Sequence, residues 1–215
     1  MIKIGKKIIG DNYKTFVTFE AGPTHNGFES AKNLVSHAAK SGADAIKFQI
    51  IDADRLMADK SVMFEYQYLE SLSNFKTTEE SLYELLKRRM LKQNEWKQLK
   101  KVSDKLGILF FATVGFKEEV DFLKNIGCDS IKIASSDVNY HGLIEYAAEQ
   151  GFCIQLDTGN STLGEIEEAV DIIRSKNNNN IIIHHCPSGY PARSDKINLR
   201  IIKTLKNMFP FPIGF

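Results

Sequence analysis

Two apolar stretches of the sequence each carry a lysine at the same step. The stretches "GADAIKFQI" (42–50) and "GCDSIKIAS" (127–135) both read glycine, a small or polar residue, aspartate, a small residue, isoleucine and lysine. Lysine is depleted in β-strands and is rarely buried without a partner for its charge. Lys47 and Lys132 therefore require a neighbouring carboxylate, such as that of Glu20, or a bound anion.

Hydroxyl side chains lie near the ends of the neighbouring apolar runs, at Thr113, Ser135 and Ser136. Two lysines in one cavity repel each other unless an anion lies between them, and hydroxyl groups can donate to its oxygens. A compact anion with phosphate and carboxylate groups would satisfy this set. A second chemistry stays open, in which one lysine, its pKa lowered by the other, forms a Schiff base with a carbonyl substrate as an aldolase does.

The elements that must position these residues alternate along the chain. Strand patterns are followed by amphipathic helix patterns, and "FPIGF" begins one more apolar run after the last helix. The predicted strands are 16–22, 44–50, 108–114, 129–135, 152–159 and 181–186. This alternation implies parallel strands joined by right-handed crossovers, in six βα units and the start of a seventh strand. A short hairpin is predicted before them in "IKIGKKIIG", and helical patches are predicted around 62–72 and 79–92.

The alternation fits an open doubly wound sheet or a (β/α)8 barrel. The turn "GPTHNG" after the first strand lacks the G-x-G-x-x-G pattern of a dinucleotide-binding sheet. Polar residues recur on one face at the carboxyl ends of three strands, where barrels build their active sites. They are the pairs Thr18 and Glu20, Lys47 and Gln49, and Gln155 and Asp157. We therefore predict a TIM-type barrel over 16–215, incomplete in these 215 residues, after a hairpin over 1–15.

The composition favours a soluble cytoplasmic protein. Lys plus Arg number 28 against 27 for Asp plus Glu, so no net charge attracts nucleic acid or an acidic membrane. No apolar stretch approaches the roughly 18 residues of a membrane span, and the amino terminus lacks the apolar core of a signal peptide. Cys128, Cys153 and Cys186 are odd in number and match no zinc spacing. We interpret them as small buried residues of a reduced protein.

Three histidines are candidates for the site. His25 follows the first strand and is expected to face the site, where it could bind substrate or metal. His184 and His185 are adjacent in a strand, so we expect only one of them to face the lumen. His185 could line the site together with Tyr190, and a hydrogen-bonded structural role for this histidine stays open.

A set of motifs in this order resembles one enzyme family. The motifs are "FEAGPTHNG", "GADAIKFQ", "FFATV", "SIKIASSD", "LDTGNSTLGEIEEAV", "HHCPSGYPA" and "PIGF". The chain resembles the sialic acid (N-acetylneuraminate) synthases, which condense phosphoenolpyruvate with an N-acyl amino sugar such as N-acetylmannosamine. The resemblance implies a cytosolic homodimer with a divalent metal, Mn or Mg, that polarises the sugar aldehyde.

The resemblance also implies roles for individual residues. Lys47, Thr113, Lys132 and Ser135 match positions that hold the phosphate and carboxylate of phosphoenolpyruvate. Glu20, Gln49 and Tyr190 match positions that contact the amino sugar. The implied catalytic residues are Glu20, Lys47 and Lys132.

Three positions depart from the family pattern. Asp157 in "DTG" replaces a common serine, and a carboxylate so near a phosphate would repel it unless it is protonated, turned away or bound to metal. Ser188 replaces an asparagine and joins the implied phosphoenolpyruvate-binding set, and Thr24 begins "THNG" where "NHNG" is common. These departures suggest a distinct subgroup, and they leave the identity of the amino sugar open.

Length is the largest departure. The resemblance places the metal-ligating histidines, the rest of the barrel and a small antifreeze-like domain after "IGF". We therefore expect no metal ligands and no antifreeze-like domain within residues 1–215. A truncated, non-catalytic, anion-binding fragment is the alternative from a different functional class.

Overall fold

A parallel seven-stranded sheet, curled into an incomplete barrel, organises the computed structural model, which describes residues 1–189 and 192–215. The strands are β1 (Ile2–Ile4), β2 (Lys7–Ile9), β3 (Thr18–Gly22), β4 (Ala45–Gln49), β5 (Met63–Ser71), β6 (Asn74–Ser81), β7 (Leu109–Val114), β8 (Ser130–Ile133), β9 (Cys153–Asp157), β10 (Ile181–His184) and β11 (Ile213–Gly214). The barrel sheet has the order β3-β4-β7-β8-β9-β10-β11. The prediction of six βα units and the start of a seventh strand in a TIM-type barrel is confirmed.

The helices cover the outer face of this sheet. They are α1 (Phe28–Lys40), α2 (Ala53–Leu56), α3 (Leu82–Lys87), α4 (Gln93–Leu106), α5 (Lys117–Asn125), α6 (His141–Glu149), α7 (Leu163–Ser175) and α8 (Arg200–Met208). Outward-facing strand residues such as Ile46, Phe48 and Ile131 are fully buried in the core that these helices form. No helix among the described residues is long and apolar enough to cross a membrane.

Helix α7 shows how the sequence sets an element's start. Thr162 Oγ1 accepts a hydrogen bond from Glu165 N at 3.3 Å, and Thr162 N donates to Glu165 Oε2 at 2.7 Å. This reciprocal capping box satisfies two of the amide groups that a helix leaves unpaired at its amino end.

The amino-terminal hairpin closes the end of the lumen at which the barrel strands begin. The sequence predicted the hairpin but not this position. Strands β1 and β2 pair antiparallel, which confirms the predicted hairpin. Ile2 and Ile4 are almost fully buried against Cys153 and Ile182 at the amino ends of two barrel strands. The hairpin therefore replaces water at that end of the lumen with apolar side chains.

The predicted helix around 62–72 is wrong. Residues 63–81 form an antiparallel pair, β5 and β6, in which Met63 lies opposite Ser81. Alternating aromatic residues line one side of β5, and the rings of Phe64 and Tyr66 lie 5.9 Å apart. Aromatic and threonine residues favour strands because they pack in cross-strand pairs, and this preference outweighs the weak helical spacing. The patch around 79–92 is helical only in α3.

Candidate functional site

The carboxyl ends of the barrel strands surround a cavity of about 220 Å³. Its polar lining comes mainly from the five strands β3, β4, β8, β9 and β10 and includes Glu20, Lys47, Lys132, Gln155, Asp157 and His184. Phe111 and Phe215 add apolar surface. The shared face that the sequence predicted for these residues is therefore the lumen face.

The two lysines do not lie on the same rung of the sheet. Lys47 is paired with Glu20 on one side and with Phe111 on the other, whereas Lys132 is paired with Thr113 and Gln155. Lys132 therefore lies one lumen-facing step closer to the carboxyl end. Thr113 stands between them, and Lys47 Nζ donates to Thr113 Oγ1 at 3.1 Å.

Each lysine holds a carboxylate. Lys47 Nζ lies 2.6 Å from Glu20 Oε2, and Lys132 Nζ lies 2.5 Å from Asp157 Oδ2. Burial and the charge of Lys132 lower the pKa of Lys47, although Glu20 opposes the shift. Burial also disfavours the charge of Lys132, but Asp157 outweighs this effect and the pKa of Lys132 is raised. The carboxylate pairing considered from the sequence is present at both lysines.

A hydrogen-bonded chain links the lower lumen to His184. Gln155 Nε2 donates to Ser130 Oγ at 3.0 Å, and Ser130 Oγ donates to the carbonyl of Cys153 at 2.8 Å. Gln155 Oε1 lies 3.1 Å from His184 Nε2, which is therefore the protonated ring nitrogen. Burial is the main cause that lowers the pKa of His184 to about 4. The charge of Asp157 opposes this shift, and the charges of Lys132 and Lys47 add to it.

Glycine at position 214 makes room for that histidine. A Cβ atom at Gly214 would lie 2.6 Å from His184 Nδ1, which is too close for two non-bonded atoms. The glycine of "PIGF" therefore has a steric role in the site. Sequence analysis missed the Ser130–Gln155–His184 chain, since only strand pairing brings its three members together.

A second cleft adjoins the cavity at the ends of β4 and β7. It has a volume of about 330 Å³ and is lined by Gln49, Thr113, Ser136 and Arg55, among others. Ser135 begins a turn of 3-10 helix (Ser135–Asp137) directly after β8. The structure thus brings Gln49 and Thr113 together. Ser188 is exposed in the loop after β10, and Tyr190 lies outside the described residues.

The expectation for His25 is wrong, because its ring lies on the helix side of the sheet. It is fully buried, with its centroid 5.9 Å from that of Phe48 and 6.4 Å from that of Trp96. A bulge between Glu20 and Gly22 ends the strand alternation, and Gly22 has the positive φ of 42° that glycine adopts easily. The chain therefore leaves the lumen before His25.

The expectation that only one of the adjacent histidines faces the cavity is also wrong. His184 is the last residue of β10, and His185 follows in a loop where strand alternation no longer applies. Both line the cavity, and His185 Nε2 lies 2.6 Å from the carbonyl of Ile197.

The interpretation of the cysteines as small buried residues is confirmed for Cys128 and Cys153 but not for Cys186, which is half-buried. All three are free, and Cys128 and Cys153 are buried. Cys186 borders the cavity, but burial and Asp157 raise the pKa of its thiol. A thiolate nucleophile at neutral pH is therefore disfavoured.

The residues that the structure describes do not form a suitable metal site. No group of three or more His, Cys, Asp or Glu side chains in 1–189 and 192–215 is arranged to hold a metal ion. The two lumen carboxylates, Glu20 and Asp157, are each already paired with a lysine. These residues alone are therefore an unsuitable donor set for Mn or Mg.

Comparisons with known proteins agree on one family. A model described as "NeuB family" matches residues 34–215. An uncharacterized protein of Methanocaldococcus jannaschii is 38% identical over all of this chain and 58% of its own length. An N,N'-diacetyllegionaminic acid synthase of Legionella pneumophila is 33% identical over 98% of this chain and 59% of its own length. The chain therefore spans less than two thirds of these curated relatives.

Solved structures give the same result. The crystal structure of an N-acetylneuraminic acid synthetase from Leptospira borgpetersenii, in complex with citrate, matches with a TM-score of 0.82 and 32% identity. The match covers 99% of this chain and 70% of that one.

Proposed function

The chain belongs to the NeuB family, and from that premise we propose that it forms the phosphoenolpyruvate-binding part of a nonulosonic acid synthase. The proposed reaction condenses phosphoenolpyruvate with an N-acyl amino sugar, N-acetylmannosamine or a related sugar. The products are a sialic-type acid and inorganic phosphate. Cytoplasmic location and a homodimer are part of the same proposal.

One observation carries the proposal. Two largely buried lysines, Lys47 and Lys132, enter one cavity from nearby strands, with the hydroxyl of Thr113 between them. Such groups suit a small anion with separate phosphate and carboxylate ends, since each end can take one ammonium group. The relatives named as acid synthases of the same family support this choice of ligand.

The proposed step uses the two substrates and one water molecule. Carbon 3 of phosphoenolpyruvate forms a bond to the aldehyde carbon of the open-chain sugar, and the water oxygen adds to carbon 2. The bond from carbon 2 to the bridging phosphate oxygen then breaks, phosphate leaves with that oxygen, and carbon 2 becomes a ketone. Of the two water protons, one goes to the former aldehyde oxygen and the other to the departing phosphate. Glu20 lies at the open end of the cavity, with its side chain 56% exposed, where it can exchange the proton of the sugar oxygen.

Gln49, Ser135, Ser188 and Tyr190 complete the proposed contacts. Gln49 lines the cleft next to Thr113, which suits a role toward the sugar. Ser135 and Ser188 are assigned to phosphoenolpyruvate, and Tyr190 to the sugar, from their motif positions. None of these contacts involves a metal ion, because the described residues offer no suitable group of ligands.

A Schiff-base aldolase is the second candidate, and the lowered pKa of Lys47 favours it. A lysine with a lowered pKa has more of the neutral amine that attacks a carbonyl carbon. The close pairing of Lys47 with Glu20 argues against it, because an ion pair keeps the amine protonated.

One experiment distinguishes the proposed synthase from the Schiff-base aldolase. The protein is incubated with phosphoenolpyruvate, N-acetylmannosamine and Mn²⁺ or Mg²⁺, and phosphate release is measured. A parallel sample with pyruvate is treated with borohydride and analysed by mass spectrometry. In a full-length version of the protein, we expect phosphate release that depends on both substrates, and no reduced adduct on Lys47 or Lys132.

Other outcomes would replace the proposal. A reduced lysine adduct would favour the aldolase. Tight phosphoenolpyruvate binding without turnover would favour the non-catalytic anion-binding protein.

A further inference from the structure

We infer that Asp157 competes with the bound anion for Lys132 and thereby sets the anion affinity of the cavity. This inference deepens the proposed function and rests on it. It starts from the contact between Asp157 Oδ2 and Lys132 Nζ at 2.5 Å, on neighbouring strands β9 and β8. An anion that binds Lys132 must take the place of this carboxylate.

The charges of the cavity show why the competition matters. Lys47 and Lys132 are its cations, and Glu20 and Asp157 are its anions. His184 is neutral near pH 7. The cavity therefore has no surplus positive charge, and a phosphate group would add negative charge to a neutral site.

The two carboxylates differ in how easily each can leave the lysine with which it is paired. The side chain of Glu20 is 56% exposed, so water can solvate its charge once it leaves Lys47. The side chain of Asp157 is 9% exposed and is fixed on a strand beside His184 and Cys186. A buried carboxylate that loses its cation has little water to solvate its charge, so its displacement is costly. Anion binding at Lys132 thus carries a cost for displacing Asp157 that binding at Lys47 does not carry for Glu20.

The test uses inorganic phosphate as the probe and isothermal titration calorimetry at pH 7.5. Asp157→Asn keeps the size and a hydrogen-bond acceptor for Lys132 but removes the charge, and Asp157→Ser removes both. We expect both variants to bind phosphate at least about tenfold more tightly than the parent chain, since about 1.4 kcal/mol corresponds to tenfold. Asp171→Asn is the matched control, because it removes one carboxylate charge from the exposed side of α7, away from the cavity, and it should change affinity less than about threefold.

The lysines separate failure of this inference from failure of the proposed function. Lys132→Met, added to Asp157→Asn, should abolish the gain in affinity. If single lysine substitutions weaken phosphate binding but Asp157→Asn binds no more tightly than the parent chain, only the inference is overturned. If neither lysine substitution nor Asp157→Asn changes phosphate binding, phosphate binds elsewhere and both are overturned.

Two substitutions at Asp157 cover the case in which one of the variants does not fold. Circular dichroism shows which variants keep the fold of the parent chain, and phosphate affinity is compared among those variants. A folded Asp157→Asn or Asp157→Ser variant that binds phosphate no more tightly than the parent chain overturns the inference.

Discussion

The stretches 42–50 and 127–135 repeat one sequence pattern, yet their lysines end in opposite electrostatic situations. Lys47 pairs with the half-exposed Glu20, and its pKa is lowered, first by burial. Lys132 pairs with the buried Asp157, and its pKa is raised despite burial. The pattern places a lysine in the lumen, but the neighbouring strand decides how firmly its charge is held.

The aspartates of the two stretches differ in the same way. Asp44 accepts from Lys7 Nζ at 2.7 Å and from Val17 N at 3.0 Å, and so ties the hairpin to β4. The hydrogen bonds, outweighing burial, lower the pKa of Asp44. The backbone carbonyls of both aspartates accept from the next strand, Asp44 O from Leu109 N at 3.1 Å and Asp129 O from Cys153 N at 3.0 Å, so the difference lies in the side-chain contacts of Asp44. Equal sequence steps thus serve different neighbours.

Removing each lysine should give the largest difference between the stretches. Lys132→Met leaves the buried carboxylate of Asp157 unpaired, so the free energy of unfolding should fall by about 3–5 kcal/mol. Lys47→Met leaves Glu20 in contact with water and should cost about 1 kcal/mol or less. Urea unfolding at pH 7, followed by circular dichroism, measures both. Adding Asp157→Leu to Lys132→Met should recover most of the loss, and equal losses for the two single variants would contradict the comparison.

Acid should destabilise the Asp157 side of the cavity through His184. The unfolded chain binds this proton near pH 6.5, whereas the folded chain binds it only near pH 4, so stability is lost as the pH falls through this window. The loss amounts to about 3 kcal/mol, since one pKa unit corresponds to about 1.4 kcal/mol. Lys132, Lys47, Asp157 and Gln155 are the groups that face the ring.

Unfolding of the parent chain and of His184→Gln, at pH 7 and pH 4.5, tests this origin. His184→Gln should remove much of the difference between the two pH values. His37→Gln, on the exposed side of α1, is the matched control and should leave the difference unchanged. A parent chain equally stable at both pH values would show that His184 is not the titrating group.

Glu20 should affect turnover rather than binding. In a full-length version of the protein, Glu20→Gln removes the proposed proton-transfer group, so turnover should fall by about 10²-fold or more, the usual range for a positioned acid or base. Phosphoenolpyruvate binding should be largely kept, because Lys47 and Lys132 remain. Steady-state kinetics and calorimetry measure the two effects separately. Turnover at the parent rate would remove Glu20 from the mechanism.

The smallest effect concerns the residue two places before each lysine. Ser130 accepts from Gln155 and donates to the carbonyl of Cys153, whereas the first stretch has Ala45 at this step. Ser130→Ala should cost about 1–2 kcal/mol of unfolding free energy, because Gln155 loses a buried partner. Thermal unfolding measures the change, and Ser73→Ala, in the exposed turn after β5, should have little effect. A loss no greater than that of the control would mean that Gln155 finds another acceptor.

Local patterns along the chain were enough for the fold class and the lumen face. Alternation placed Glu20, Lys47, Gln155 and Asp157 on one side of their strands, and the capping box marked the start of α7. The hairpin of β5 and β6 was missed, because weak helical spacing in one segment competes with cross-strand pairs that form only with the next segment.

The sequence by itself determined that two lysines, two carboxylates and a threonine would share a lumen, because the side-chain period of a strand is a property of consecutive residues. Only the tertiary structure decided which carboxylate pairs with which lysine, that Lys132 lies one step above Lys47, and that His25 leaves the lumen. Those outcomes depend on the stagger between neighbouring strands and on one bulge in β3. Stagger is set by packing between residues far apart in the chain, which no local pattern contains.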